Sequence, residues 1–159
     1  MVDGYNLLFA VGKKPRESDR NDLLNVLAAY KSRKNVDITV VFDRKTGDPA
    51  EGRQVLMHQG VRVVFTAPFQ EADEIIRDAV DDAKRPKDIL VVSSDKAGVS
   101  KYCRKVGAEV IGSKEFYEFL QRSRSGSGNT SRGKDDGEDE IKPNPGKDDN
   151  DYYFEKFTE

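Results

Sequence analysis

The apolar residues of the chain form short runs that are separated by longer amphipathic stretches. Four runs have the composition of β-strands: residues 38–42 (ITVVF), 61–65 (VRVVF), 89–93 (ILVVS) and 109–111 (EVI). The runs at 38–42 and 89–93 are nearly continuous and rich in β-branched residues, as is typical of parallel strands that are covered on both faces. The pattern therefore predicts a buried and mostly parallel sheet.

Helical stripes of apolar residues lie between these runs, at residues 19–30, 72–83, 99–106 and 116–120. Asp19 and Asp22 are predicted as the N-cap and first-turn acids of the first helix, and Gly107 as the C-cap of the third. A further helix that would contain His58 is predicted between Pro49 and Gly60. Strands that alternate with helices indicate the α/β fold class with a central, mostly parallel sheet.

Composition divides the chain into a body and a tail. Residues 1–124 contain 22 Lys plus Arg and 19 Asp plus Glu, whereas residues 125–159 contain 5 and 10 and are rich in Gly, Ser, Asp, Asn and Pro. Such a tail cannot bury enough apolar surface to offset the entropy of ordering. We therefore predict one domain over residues 1–124 and a disordered acidic tail over residues 125–159.

Cysteine content and hydropathy exclude several protein classes. A single cysteine, Cys103, excludes an internal disulfide framework, and the lack of a His/Cys cluster disfavours a zinc site. The sequence has neither a signal peptide nor an apolar run of membrane-spanning length. These features predict a soluble, cytoplasmic protein without a membrane partner.

Acidic residues follow the predicted strands. Asp43 follows ITVVF, Asp95 follows ILVVSS, Asp3 lies at the start of the first apolar stretch, and Glu71 and Asp73 open a helix. Ligands of open α/β sheets bind outside the carboxyl ends of the strands. Carboxylates gathered there repel one another unless a cation lies among them, and Mg²⁺ or Mn²⁺ is the simplest candidate.

Each acid also has a structural interpretation. Asp43 can begin a polar loop, Asp73 can complement a helix dipole, and Asp95 can be an N-cap. The pairing Asp3-Gly4 can be an ordinary turn. Spacing alone does not decide between a metal site and solvated loop acids.

Basic residues flank the acids and can position a phosphate backbone, although a charge run is usually only a solvated surface. The candidates for RNA binding are Lys13, Lys14, Arg16, Arg44, Lys45 and Lys96, with Arg20 and Arg53 nearby in sequence. Ser93 and Ser94 can contact phosphate or simply satisfy the end of a strand. His58 has no partner nearby in sequence, and Cys103 fits an apolar core.

Four motifs together resemble the YacP-type branch of the NYN domains, a PIN-like nuclease group. They are VDGYNLLF, VVFDRKTG, VVFTAPFQEADEIIRD and VVSSDKAGVSKYCRKVGAEVIGSKEFYEFL, and they match in order and spacing over residues 1–122. The resemblance implies a PIN-like three-layer α/β/α sandwich with a divalent-metal centre. It also implies endoribonuclease activity on single-stranded RNA, and mRNA on the ribosome as a substrate.

The resemblance further implies roles for individual residues. Asp3 of DGYN looks like the central metal ligand, and Asn6 would fix the loop or contact phosphate. Asp43, Asp73 and Asp95 look like the remaining acids, with Glu71 a weaker candidate. The primary hypothesis is an endoribonuclease that uses Mg²⁺ or Mn²⁺ and a water nucleophile.

Two other functions compete with this hypothesis. The alternative is a non-cleaving PIN-like module that binds RNA or the ribosome, although such a module gains nothing from a cluster of like charges. A haloacid-dehalogenase-like phosphatase needs two aspartates separated by one residue, whereas Gly4 and Tyr5 follow Asp3. The phosphatase is therefore disfavoured.

The sequence before the DGYN motif departs from the family pattern. Several apolar residues precede this motif in the family, but here only Met1 and Val2 do. A central strand of two residues would lack ladder bonds and packing. An added apolar N-terminal extension is therefore expected to raise the melting temperature.

Overall fold

The sheet of this computed structural model, which describes residues 1–125, has six strands. They are β1 (Val2–Asp3), β2 (Thr39–Arg44), β3 (Gln54–His58), β4 (Val61–Pro68), β5 (Leu90–Val92) and β6 (Glu109–Ile111). The strand order is β3-β4-β2-β1-β5-β6, and all neighbours are parallel except β3 and β4. The predicted mostly parallel sheet is confirmed, whereas the expected disorder of the tail concerns residues outside the described range.

Five helices cover the two faces of the sheet: α1 (Gly4–Ala10), α2 (Glu17–Lys34), α3 (Ala72–Asp81), α4 (Val99–Val106) and α5 (Ser113–Ser125). Apolar side chains of α1, α2 and α5 pack on one face, and those of α3 and α4 pack on the other. Side chains alternate between the faces along each strand, so Val40 and Phe42 join the first core and Val41 joins the second. The three-layer α/β/α sandwich is confirmed.

The predicted helix between Pro49 and Gly60 is wrong. Residues Gln54–His58 form β3, which pairs with β4 through a two-residue turn in which Gln59 and Gly60 both have positive φ. Such turns match the twist of a hairpin. The side chains Val55, Leu56 and Met57 of β3 are all exposed, so this strand shows none of the alternation that identifies a half-buried strand.

Two further details of the N-terminal region differ from the sequence prediction. The first apolar stretch, with Leu7 and Leu8, forms helix α1, which was not predicted from the sequence. Helix α2 begins at Glu17, so Asp19 lies in its first turn and Asp22 lies beyond that turn. Asp19 is no N-cap; instead its Oδ2 accepts hydrogen bonds from the backbone N–H of Lys14 at 3.3 Å and from Nε of Arg16 at 3.1 Å.

Strand β1 occupies the centre of the sheet although it is short. Val2 pairs with Val40 of β2 on one side and with Val92 of β5 on the other. The Met1 carbonyl accepts from the Val92 N–H at 2.9 Å, which extends the ladder by one residue. The chain leaves β1 toward β2 and later returns on the opposite side at β5, so β1 is the point where the strand order reverses, the usual ligand site of such sheets.

The buried amino group of Met1 explains why an N-terminal extension is expected to raise the melting temperature. The ammonium group donates to the Leu90 carbonyl at 2.8 Å, and burial lowers its pKa to about 6. A peptide N–H in its place would make the same bond without burying a charge. We expect an apolar extension to raise the melting temperature at pH 6 by several degrees, on the order of 2 to 3 kcal/mol.

The pH dependence of this gain follows from the sign of the pKa shift. A lowered pKa means that the unfolded chain binds more protons between pH 6 and 8, so the natural chain gains stability as the pH rises through this range. The advantage of the extension should therefore shrink as the pH rises from 6 to 8 and be small above pH 8. A Gly-Ser extension of equal length is the control for added apolar contacts, and an unchanged melting temperature for both extensions at pH 6 would contradict the prediction.

Candidate active site

Asp3 is a buried carboxyl at the end of the central strand. Its side chain is 9% exposed, and its Oδ1 accepts a hydrogen bond from the Asn6 N–H at 3.1 Å, which caps helix α1. Burial raises the pKa of Asp3 to about 7; the Asn6 bond opposes this shift, and the carboxylates of Asp43, Asp73 and Asp95 raise the pKa further. The structure therefore brings these four predicted acids into one electrostatic cluster.

Asp43 connects the end of β2 to the start of α3. It lies within the strand rather than in the following loop, and its Oδ1 accepts a hydrogen bond from the Ala72 N–H, at the first residue of α3. Asp73 is the next residue of that helix. Burial and then the charge of Asp95 raise the pKa of Asp73, while Arg77, 4.0 Å away, lowers it. Glu71 is exposed and contributes a weaker repulsion.

Asp95 is oriented by the backbone that leads into α4. Its Oδ1 accepts from the N–H groups of Ala97 at 3.2 Å and Gly98 at 3.0 Å. A Cβ atom on Gly98 would lie 2.0 Å from Oδ2 of Asp95 and 3.1 Å from Oδ2 of Asp73, so these two oxygens are no further apart than the sum of those distances. Asp95 is not the N-cap of α4 as its structural interpretation predicted, because that position is Gly98 and has no side-chain cap. Instead Asp95 binds the turn before α4 and also approaches Asp73.

A Gly98→Ala variant is expected to displace the Asp95 carboxylate, because the new methyl group would overlap it. The nearest atom to the new methyl group is Oδ2 of Asp95, so the change should act on this carboxylate. We expect affinity for Mn²⁺, measured by calorimetry, to fall about 10-fold or more. Gly52→Ala is the matched control, since a Cβ there meets no atom within 4 Å; equal Mn²⁺ affinity in both variants would contradict the prediction.

Asn6 connects the β1–α1 corner to two distant segments. Its Oδ1 accepts from the Ser94 N–H at 2.8 Å and from the Ser113 Oγ at 2.6 Å. Ser94 in turn accepts from the Ser113 N–H, and Ser93 accepts from the Asp95 N–H. These contacts correspond to the loop-fixing role expected for Asn6 and to structural roles for both serines, while contact with phosphate stays a prediction.

The predicted basic residues do not all line one cavity. Arg44 and Lys45 line a cavity together with Asp43 and with Arg20. Lys13, Lys14 and Arg16 do not line this cavity; Lys13 lies beside a second one, and Arg16 pairs with Asp19. Lys96 is exposed beside Asp95, and Arg53 pairs with Asp78 at 3.7 Å.

The donor atoms of the acidic cluster suit a hard divalent cation. All four side chains offer carboxylate oxygens, the ligands that Mg²⁺ and Mn²⁺ prefer, and a cation would relieve their mutual repulsion. Within residues 1–125, no group of three or more His, Cys, Asp or Glu side chains is close enough to hold a metal ion. The cluster thus fits a metal in its chemistry, and its carboxylates would have to move toward a common point on binding.

Three contributors to the site were not predicted from the sequence. Gly98 makes room for two carboxylates, Ser113 anchors Asn6, and Gly4 lies against the Phe42 ring. The sequence shows that Gly4 follows Asp3 and that Gly98 precedes a helix. It does not show that the Phe42 ring and the two carboxylates lie where a side chain at these positions would be. His58 is hydrogen-bonded to Asn25 at 2.8 Å, and Cys103 is buried in the core, as its sequence context predicts.

Comparisons with known proteins identify the relatives of this chain. The YacP-like NYN domain model matches residues 1–158. Crystal structures of Rae1 (YacP) from Bacillus subtilis and of its W164L mutant are each 25% identical, with TM-scores of 0.58 and 0.59. Each comparison covers 78% of this chain, and 74% and 75% of the respective relative. No curated protein matches the chain.

The described part of the chain, residues 1–125, has no helix long and apolar enough to cross a bilayer. The family relationship supports a nuclease-type function related to RNA. In this chain Asp3 and Asp43 lie at the carboxyl ends of β1 and β2 of a mostly parallel sheet. The chain belongs to the YacP-like NYN domain family.

Proposed function

We propose that this protein is a metal-dependent endoribonuclease that cleaves single-stranded RNA. The observation that supports this proposal best is the environment of Asp3, a buried carboxyl whose pKa is raised by burial and by three other aspartates. A cluster of like charges at the central strand is costly in the absence of a cation. Its position where the strand order reverses is the usual place for a ligand in an open parallel sheet.

The residues of the cluster have distinct tasks in this proposal. Asp3, Asp43, Asp73 and Asp95 would hold Mg²⁺ or Mn²⁺, which when bound activates water and stabilises charge on a phosphate. The Ala72 N–H orients Asp43, and the N–H groups before α4 orient Asp95. Arg44 and Lys45 would position the phosphate backbone beside the acids.

The nature of the RNA ends tests this scheme. With Mn²⁺ and a 5′-labelled single-stranded RNA, we expect products with 5′-phosphate and 3′-hydroxyl ends, because water is the nucleophile. Asp95→Asn is expected to abolish cleavage, and Asp22→Asn, an exposed change on α2, should leave it intact. Ends with 2′,3′-cyclic phosphate would show instead that the ribose hydroxyl attacks and that the scheme is wrong.

The same experiment separates cleavage from binding alone. A protein that binds this RNA with Mn²⁺ present and leaves it intact would be the non-cleaving module. Our proposal also includes mRNA on ribosomes in the cytoplasm as the substrate, which rests on the family resemblance. It predicts faster cleavage of an mRNA that is being translated than of the same mRNA with initiation blocked.

A further inference from the structure

A cavity of about 640 Å³ opens beside Asp43, and aromatic rings and cationic side chains form much of its wall. The rings are Tyr5, Phe9 and Phe65, and the cations are Arg20, Arg44 and Lys45. We propose that this cavity is a base-stacking subsite, in which an unpaired base of single-stranded RNA stacks on the rings next to the acidic cluster. The inference rests on the proposed function, because it names how the same site holds its substrate.

The rings form a row that begins at the exposed ring of Phe9 and runs into the core. Phe9 is 59% exposed, and its ring is nearly parallel to that of Tyr5, with 6.1 Å between centroids. Tyr5 packs on the fully buried Phe42 at 5.0 Å, and Phe42 stacks on Phe65 at 5.6 Å. An exposed ring on such a support presents a flat face without loss of side-chain entropy on binding.

The cations are placed to hold a phosphate or a base edge. Arg20 donates from Nη1 to the Tyr5 hydroxyl at 3.3 Å, and its guanidinium lies 5.8 Å from the centre of the Phe65 ring. Arg44 pairs with Glu51 through Nη2, whereas its buried Nη1 has no hydrogen-bond partner within residues 1–125. A buried donor without a partner is costly, and a shift of the Arg44 side chain toward an acceptor oxygen in the cavity would satisfy it.

Both features together favour a nucleotide within a strand over simpler ligands. An aliphatic ligand would make no use of the charges of Arg20 and Lys45, and a free phosphate would leave the exposed Phe9 ring unused. Aromatic stacking combined with backbone cations is the usual mode of single-strand binding. Since Asp43 lines the same cavity, the stacked base would lie beside the nucleotide at the acidic cluster.

Binding to a short oligonucleotide with and without its bases tests this inference. Fluorescence anisotropy in EDTA, which prevents metal-dependent cleavage, would compare a single-stranded RNA with an abasic strand of the same length. We expect the natural chain to prefer the RNA by about 10-fold or more. Phe9→Leu should remove this preference and Phe9→Tyr should keep it, because only tyrosine retains an aromatic face.

Two controls separate stacking from loss of structure. Phe9 is exposed, so the melting temperature of Phe9→Leu should stay close to that of the natural chain. Met57→Ala changes a similarly exposed apolar residue on β3 that does not line the cavity, and it should not alter binding. Equal affinity for the two oligonucleotides, including no measurable binding of either, would overturn the inference. If the natural chain prefers the RNA over the abasic strand but does not cleave RNA with Mn²⁺, the proposed function is wrong and the stacking subsite stands.

Discussion

An Asp3→Asn variant is expected to be more stable than the natural chain at pH 8 in EDTA, where no metal is bound. With Mn²⁺ present, the same variant is expected to cleave RNA more than about 100-fold more slowly. Both effects have one cause, the buried charge of the Asp3 carboxylate. Asparagine keeps the N-cap of α1, since its amide oxygen can accept the Asn6 N–H. It removes the charge that three neighbouring carboxylates repel.

The gain in stability should depend on pH in a defined direction. The folded pKa of Asp3 is raised from 3.8 to about 7, so the folded chain binds more protons than the unfolded chain between these values. The free energy of unfolding of the natural chain therefore falls as the pH rises through this range, by about 2 to 4 kcal/mol in total. The Asp3→Asn variant has no such loss, and the difference in stability should be largest at pH 8 and small near pH 4.

Chemical denaturation at several pH values would measure this difference, with Asp22→Asn as the control for removing an exposed carboxylate. Mn²⁺ should raise the melting temperature of the natural chain and not that of Asp3→Asn, because a ligand stabilises only a fold that binds it. Lower stability of the variant at pH 8 would contradict the cost of the buried charge, and unchanged cleavage would show that Asp3 is an ordinary turn residue.

A Gly4→Ala variant is expected to lower the melting temperature by about 10 °C. The new Cβ would lie 2.3 to 2.8 Å from three ring atoms of Phe42. This ring cannot swing aside, because it is fully buried between Tyr5 and Phe65. The glycine of the DGYN motif is thus required by the close approach of a ring.

Helix propensity alone predicts the opposite sign, since Gly4 begins α1 and alanine is the better helix former. Thermal unfolding therefore decides between the two causes. Combining Gly4→Ala with Phe42→Leu should cost less than the sum of the two single changes, because the smaller side chain relieves the overlap. Gly52→Ala, which meets no atom within 4 Å, is the control; a stabilised or unchanged Gly4→Ala would exclude the overlap.

Much of the fold was predictable because its strands are buried and its helices are amphipathic. The strand predicted at 109–111 matches β6 residue for residue, and α3 (Ala72–Asp81) lies within the helical stripe predicted at residues 72–83. Strand β3 was missed because its three successive exposed apolar side chains do not show the alternation of apolar and polar positions that identifies a strand. Helix α1 was missed because residues Leu7–Phe9 resemble a short apolar strand until the cap by Asp3 is known.

The acidic cluster was predictable in membership and not in geometry. Parallel strands bring Asp3, Asp43 and Asp95 to one edge, and this follows from the order of apolar runs and acids alone. Which side chain is buried, and which glycine leaves room for a carboxylate, depends on distances between segments far apart in sequence. The cavity beside Asp43 was not predicted either, because Tyr5 and Phe65 are far apart in sequence and come together through Phe42 and Arg20.

The two hydrogen bonds of the Asn6 side chain have a consequence for synthesis of the chain. They join positions separated by 88 and 107 residues. Strand β1 emerges first during translation, but its partner β5 and the start of α5 emerge only near the end of the domain. A nascent chain therefore has no assembled acidic cluster until almost the whole domain has been made. Activity would thus be withheld from incomplete products, since contacts this distant in sequence form only when the domain closes as a unit.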